Sequence, residues 1–103
     1  MADPMRIRAV AKDGTVNVKV LMAHEMETGQ RKDSQGKTIP AWFIQNVKVT
    51  HGDKVVLAAQ WGPAIAKNPF LSFKFKGGAK GDKLKITWTD NHNDTRTDEV
   101  VIA

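Results

Sequence analysis

Three residues at alternate positions carry the side chains in this sequence that are best suited to holding a metal ion. Met22, His24 and Met26 stand two apart, so on an extended chain all three point to the same side. Two thioethers and an imidazole suit copper(I). The same positions also fit a structural role, because Met22 ends an apolar stripe and Met26 could be an exposed apolar contact. A copper or small-anion binding module is therefore the alternative function, and the favoured expectation is that no metal is bound.

Catalytic groups are sparse. The chain has no cysteine, which excludes thiolate nucleophiles and zinc-ribbon sites. Ser34 falls in a hydrophilic segment and Ser72 on the polar face of a predicted strand, and neither stands in a nucleophile elbow. Two carboxylate pairs look exposed, whereas acid–base catalysis needs a desolvated carboxylate: Glu25 with Glu27, and Asp90 with Asp94. We expect a protein that is not an enzyme, with no catalytic residue and no cofactor.

The charge balance favours an anionic partner. Sixteen Lys and Arg residues against eleven Asp and Glu give a formal net charge of +5. A lysine stripe on neighbouring predicted strands would form one basic face: Lys74, Lys76, Lys80, Lys83 and Lys85. The stripe lacks the interleaved aromatic residues of single-strand binders, so we expect no nucleic acid. His51 and His92 stand alone beside turns, as surface residues do.

An alternation of apolar and polar residues with period two runs through the chain and predicts seven short strands. Val16, Val18, Val20 and Met22 form the clearest stripe. Turn residues such as Asp13-Gly14 separate the strands, and no segment shows a helical stripe. The pattern is typical of an immunoglobulin-like antiparallel β-sandwich in one domain, residues 1–103. No stretch is apolar enough to span a bilayer, and we expect no membrane partner.

Two long segments break this alternation. The first, residues 23–41, is polar; the second, residues 62–69, contains two prolines and a glycine. Long connections in small domains are frequently functional. Trp42 and Trp61 border these segments and either pin them to the core or anchor an interface, whereas Trp88 falls on the inward face of its strand and belongs to the core.

The irregular segments resemble the SoxZ family. The resemblance rests on an ordered set of motifs that spans nearly the whole chain: HEMETGQRKD at 24–33, IPAWFI at 39–44, QWGP at 60–63, KNPF at 67–70 and DTRTD at 94–98. It implies an immunoglobulin-like fold and a non-catalytic subunit of the SoxYZ complex. The implied partner is SoxY, whose C-terminal cysteine arm carries sulfur intermediates covalently during thiosulfate oxidation and visits the other Sox enzymes.

The resemblance also implies a location. The residues 1–5 do not form a signal peptide, and SoxZ-like chains are expected in the periplasm, exported together with SoxY as a heterodimer. We expect the two irregular segments to supply the partner-binding surface, through His24, Met26, Arg31, Trp42, Phe43, Trp61, Pro63, Asn68 and Phe70. We further expect that Lys74, Lys76 and Lys85 steer acidic enzymes or the anionic arm.

Overall fold

Seven antiparallel strands make up the fold of residues 3–103, which are the residues that the computed structural model describes. Met1 and Ala2, with which the predicted domain begins, lie outside the described residues. The strands are β1 (Arg6–Lys12), β2 (Thr15–Leu21), β3 (Ile44–His51), β4 (Lys54–Gln60), β5 (Phe70–Lys76), β6 (Lys83–Asp90) and β7 (Thr95–Val101). The described part of the chain contains no helix that could span a membrane.

The strands form two sheets, with the orders β1-β2-β5 and β4-β3-β6-β7. This strand order is that of an immunoglobulin-like sandwich, and it confirms the predicted fold class. The residues Asp13 and Gly14 join β1 to β2 with φ angles of 54° and 79°, which is the left-handed pair that a two-residue hairpin turn requires. Beyond β7, backbone hydrogen bonds of 2.8 and 2.9 Å tie Ala103 to Ala11 and Ala9 of β1.

The core lies between the sheets and is built by the inward half of each alternating strand. In β2 the inward residues Val16, Val18 and Val20 are fully buried, while Lys19 between them is exposed. Trp88, the largest fully buried side chain, comes from β6 and confirms the prediction that it belongs to the core. Period-two burial of this kind places one face of each sheet on the core and the other in water.

The predicted single lysine face does not exist. Lys74 and Lys76 belong to β5 in the three-stranded sheet, whereas Lys83 and Lys85 belong to β6 in the four-stranded sheet. β5 and β6 follow each other in sequence but lie in opposite layers, so their outward side chains point in opposite directions. The prediction was wrong because consecutive strands were assumed to be paired.

Candidate functional site

The connections at one end of the sandwich converge on a buried carboxylate, and we call this region the loop end (the β2–β3, β4–β5 and β6–β7 connections). The Asp90 side chain has no exposed surface. Its Oδ2 accepts hydrogen bonds from Nε2 of His24 at 3.0 Å and from the indole Nε1 of Trp42 at 2.8 Å. Its Oδ1 accepts hydrogen bonds from the backbone N–H groups of His92 and Asp94, both at 2.9 Å. The carboxylate thus joins the β2–β3 and β6–β7 connections through four donors.

Burial pushes the pKa of Asp90 upward, but the hydrogen bonds donated by His24 and Trp42 and by the backbone outweigh that effect. The pKa of Asp90 therefore lies below its ordinary value. Asp90 is accordingly ionised at neutral pH, and its charge is held by donors rather than by water. The expectation that the carboxylates of Asp90 and Asp94 are exposed was wrong for Asp90.

The hydrogen bonds of His24 fix which of its ring nitrogens carries the proton. The Nδ1 atom accepts a hydrogen bond from the backbone N–H of Met26 at 3.1 Å, so that nitrogen must be unprotonated. The Nε2 atom must then be the donor to Asp90, and the ring is neutral with its proton on Nε2. Since both nitrogens are occupied, a copper ion at His24 would have to displace one of these hydrogen bonds.

Met26 is buried and takes a structural role, so the expectation that it is an exposed apolar contact was wrong. Its side chain is only 5% exposed and its backbone has a φ of 50°. The Sδ atom accepts a hydrogen bond from the backbone N–H of Ile44 at 3.3 Å. This positive φ breaks the extended chain between Met22 and Met26, which removes the basis for placing both thioethers on one side. No group of three or more His, Asp or Glu side chains among residues 3–103 could hold a metal.

Two asparagines tie the connections together through their side-chain amides and backbone. Asn68 accepts a hydrogen bond from the backbone N–H of His24 at 3.1 Å and donates its own N–H to the His24 carbonyl at 2.9 Å. Asn91 accepts from the N–H of Phe43 and donates to the carbonyl of Ala41, both at 2.8 Å. Reciprocal bonds of this kind satisfy loop backbone that no strand pairs.

Aromatic rings cover this hydrogen-bond network. His92 stacks on Trp42 with ring centroids 5.2 Å apart and planes 3° apart, and His24 contacts Trp42 and Trp88 edge-on, each at 5.1 Å. The prediction that His92 stands alone was therefore wrong. The Nε1 atom of Trp88 is buried without a hydrogen-bond partner. Trp42 pins its connection to the core, which is one of the two roles considered for it.

Residues 27–42 form an irregular hairpin that projects from the loop end. Glu27 and Trp42 exchange backbone hydrogen bonds of 2.6 and 3.0 Å, and a second bridge joins Lys32 to Thr38. Residues 30–38 are all exposed. The long axis of the molecule measures 53 Å, whereas a strand of seven or eight residues spans only about 23–27 Å. We call residues 27–42 the projecting hairpin.

The second irregular connection leaves one large apolar side chain in solvent. Trp61 anchors the start of the connection through a backbone hydrogen bond to Gln45 at 2.8 Å. At its other end, Phe70 is 62% exposed and is paired in register with Leu21, which is 40% exposed. Phe70 and Leu21 thus form an exposed apolar pair next to the loop end.

The nine predicted partner-binding residues fall into two groups. Five of them make the buried and half-buried framework of the loop end, while the remaining four are exposed. The framework residues are His24, Met26, Trp42, Phe43 and Trp61; the exposed residues are Arg31, Pro63, Asn68 and Phe70. Sequence reasoning missed Asp90 and Asn91 as the centre of this end. The polar run at 90–94 could have indicated them, but it was interpreted as a simple turn.

The opposite end of the sandwich holds a second histidine–aspartate pair. Nε2 of His51 lies 2.7 Å from Oδ2 of Asp82, and the His51 ring packs near Phe75. The bond with His51, aided by the backbone N–H of Ala79, holds the pKa of Asp82 below its ordinary value. His51 is thus partnered, and the prediction that it stands alone was wrong.

Comparison with known proteins gives one family and two similar folds. A family model described as "Sulphur oxidation protein SoxZ" matches residues 5–101. Two variants of superoxide reductase (neelaredoxin) from Archaeoglobus fulgidus, both in the reduced form, superpose with a TM-score of 0.60. They share 18% and 16% sequence identity, and the match covers 99% and 97% of this chain and 90% and 86% of theirs. At that identity the likeness extends to the fold alone. A search of curated proteins finds no match.

Proposed function

The chain belongs to the SoxZ family of sulphur oxidation proteins, and from that membership we propose that it is the non-catalytic subunit of the SoxYZ carrier complex. The observation that carries the proposal is the family match over residues 5–101. Its partner is SoxY, whose C-terminal cysteine arm bears the sulfur intermediates of thiosulfate oxidation. This chain binds SoxY and helps to present the loaded arm to the other Sox enzymes.

The arrangement of polar groups supports a role in binding rather than in catalysis. Ser34 and Ser72 are both exposed. The buried ring of His24 is held between Asp90 and the backbone of Met26, so it is not placed to activate a nucleophile. The absence of cysteine leaves the sulfur chemistry to the thiol of the partner.

The loop end is the surface that we assign to SoxY. A permanent interface is apolar at its centre and depleted of charge, and the exposed pair of Phe70 and Leu21 offers such a centre. The projecting hairpin extends the same end by a polar, exposed segment that could flank the partner. Asp90 and its donors hold the connections in place, which reduces the ordering that binding would otherwise require.

We also propose that the chain works in the periplasm and is exported together with SoxY. Detection of this chain in a periplasmic fraction when SoxY is co-expressed, and its retention in the cytoplasm when SoxY is absent, is the expected result.

Hydrogen exchange of the chain alone and mixed with purified SoxY tests the binding surface. We expect slowed exchange in residues 61–70 and in the projecting hairpin, because partner contact excludes water from backbone amides there. Phe70→Ser should weaken SoxY binding by at least about tenfold, the loss typical of an apolar anchor. Val55→Ser removes an exposed apolar side chain from the other sheet and should leave affinity unchanged.

Two results would contradict these assignments. If SoxY slows exchange nowhere, the carrier-subunit function fails. If slowed exchange is confined to another face and Phe70→Ser binds normally, the function stands and the loop-end surface is wrong.

A further inference from the structure

The outward face of the β1-β2-β5 sheet carries positive charge and no negative charge. Its positions follow from the register, in which Arg8 pairs with Lys19 and Lys19 with Ser72. Twelve side chains point outward, and they include six cations and no carboxylate. The six cations, which we call the basic face, are Arg6, Arg8, Lys12, Lys19, Lys74 and Lys76.

The stability of the fold does not explain this charge pattern. Arg8 and Lys19 lie directly opposite each other on adjacent strands, where like charges are destabilising. On the other sheet, by contrast, Lys85 stands opposite Glu99 and lies 3.9 Å from it. Charged residues on edge strands can prevent aggregation, but Lys19 belongs to β2, the central strand of its sheet. A face that retains repulsion on a central strand indicates that the positive charge has a use of its own.

We propose that the basic face is a docking surface for an acidic patch on an enzyme that acts on the SoxY-borne sulfur group. The inference rests on the proposed function, since it requires a carrier that successive enzymes visit. Charge complementarity identifies the partner: six cations without a carboxylate among residues of the face attract a surface rich in Asp and Glu. Of the three lysines expected to steer enzymes, Lys74 and Lys76 belong to this face and Lys85 does not.

The chemistry of the face suits brief encounters rather than a permanent subunit contact. Charged residues are depleted from the centres of stable interfaces, whereas charges around a docking site raise the rate of association. The face also adjoins the loop end, because Arg6 pairs with Leu21 and Leu21 with Phe70. An enzyme docked on the basic face would therefore lie beside the surface that we assign to SoxY, close to the arm on which it acts.

An acidic protein fits the face better than a nucleic acid does. Proteins that bind single strands interleave aromatic side chains with their cations so that bases can stack. Phe70, at the end next to the loop end, is the only aromatic residue that points outward from β1, β2 and β5. The remaining outward residues, among them Val10, Asn17 and Ser72, offer no platform for a base.

Charge reversal in the assembled SoxYZ complex tests the proposal. The variant combines Arg8→Glu, Lys19→Glu and Lys74→Glu, which keeps the Arg8–Lys19 pair like-charged and so avoids a change in cross-strand repulsion. The control variant reverses three exposed lysines of the other sheet and changes the net charge equally: Lys48→Glu, Lys54→Glu and Lys83→Glu. Both complexes are mixed with purified Sox enzymes, and association rates and thiosulfate consumption are measured at several salt concentrations.

We expect the face variant to associate at least about tenfold more slowly at low salt, since steering changes rates by about 10- to 1,000-fold. The difference should shrink to about twofold at 0.5 M salt, where screening is nearly complete. The control variant should stay within about twofold of the wild-type rate throughout, because its substitutions lie outside the docking surface.

Each other outcome identifies which proposal fails. If both variants lose rate equally, net charge and not the face is responsible, and the proposal is overturned. Unchanged association rates in the face variant overturn it as well. The proposal also fails if the wild-type complex binds single-stranded DNA or anionic vesicles in a salt-sensitive way while the face substitutions leave enzyme association unaffected. If the wild-type chain does not co-purify with SoxY, the proposed function itself fails, and that result is visible before any enzyme is added.

Discussion

Replacing Asp90 by asparagine should lower the free energy of unfolding, because this residue is the centre of the hydrogen-bond network at the loop end. The carboxylate accepts four hydrogen bonds, two on each oxygen. The amide of Asp90→Asn retains one oxygen, so its NH₂ group must face two donors, either His24 and Trp42 or the backbone N–H groups. His24 cannot relieve the conflict by moving its proton, because its Nδ1 already accepts from the N–H of Met26.

The magnitude follows from the two donors that lose their acceptor. A buried donor without a partner costs roughly 1–3 kcal/mol, which gives about 2–6 kcal/mol for two. Removing the buried charge offsets part of this cost, so we expect a loss of about 2–4 kcal/mol in the free energy of unfolding. For a domain of this size, a loss of 2 kcal/mol lowers the melting temperature by roughly 8 °C or more.

Urea unfolding and thermal unfolding of Asp90→Asn measure the effect, and Asp94→Asn is the matched control. Within residues 3–103, the Asp94 carboxylate accepts only the backbone N–H of Thr95, in an exposed hydrogen bond, so its replacement should cost less than about 1 kcal/mol. Equal losses in the two variants, or a loss below about 1 kcal/mol in Asp90→Asn, would refute the assignment of Asp90 as the centre of the loop end.

The same variant has a defined dependence on pH. Because the pKa of Asp90 is lowered in the folded protein, its ionised form contributes stability above the ordinary carboxyl pKa of about 4. That contribution is lost as the pH falls through the lower folded value. The stability difference between wild type and Asp90→Asn should therefore be constant near neutral pH and shrink in acid. A difference that grows in acid would contradict the direction of the shift.

Three further predictions concern other parts of the chain. Gly78→Ala should lower the free energy of unfolding by about 1–3 kcal/mol, because an added Cβ would lie 2.6 Å from the buried side chain of Val16. Gly62→Ala is the control, since its added Cβ would meet open space and the substitution should be nearly neutral. Urea unfolding compares the two variants. The bond from Arg96 lowers the pKa of Asp98, so Asp98→Asn should flatten the decline of stability at acid pH, and an unchanged slope would contradict this. Arg31→Ala breaks the ion pair between the exposed Arg31 and the half-buried Glu27. It should lower the free energy of unfolding by less than about 1 kcal/mol, with SoxY affinity measured on the same protein.

The strands could be predicted from the sequence because the alternation of apolar and polar residues within each strand indicates which of its side chains are buried. β2 alternates Val16, Val18 and Val20 with polar neighbours, and the structure buries the valines completely. Trp88 was assigned to the core by the same argument. Such predictions need only the period of a local pattern, which a sequence contains in full.

The centre of the loop end could not be predicted because its contacts join residues that are far apart in the chain. His24 and Trp42 reach Asp90 across 66 and 48 positions, and no local pattern shows which connections share an end of the sandwich. Met26 was misjudged because its positive φ ends the alternation that the sequence suggests. The prediction of a single lysine face was wrong for a related reason, since the alternation within a strand does not determine which strands share a sheet.

The measurement that tests the central claim most directly is the native mass of this chain after co-expression with SoxY. The account predicts a single species whose mass is the sum of one copy of each chain and which persists through purification. Two separate species at micromolar concentration, with this chain folded and unassociated, would contradict its assignment as a subunit of the carrier complex.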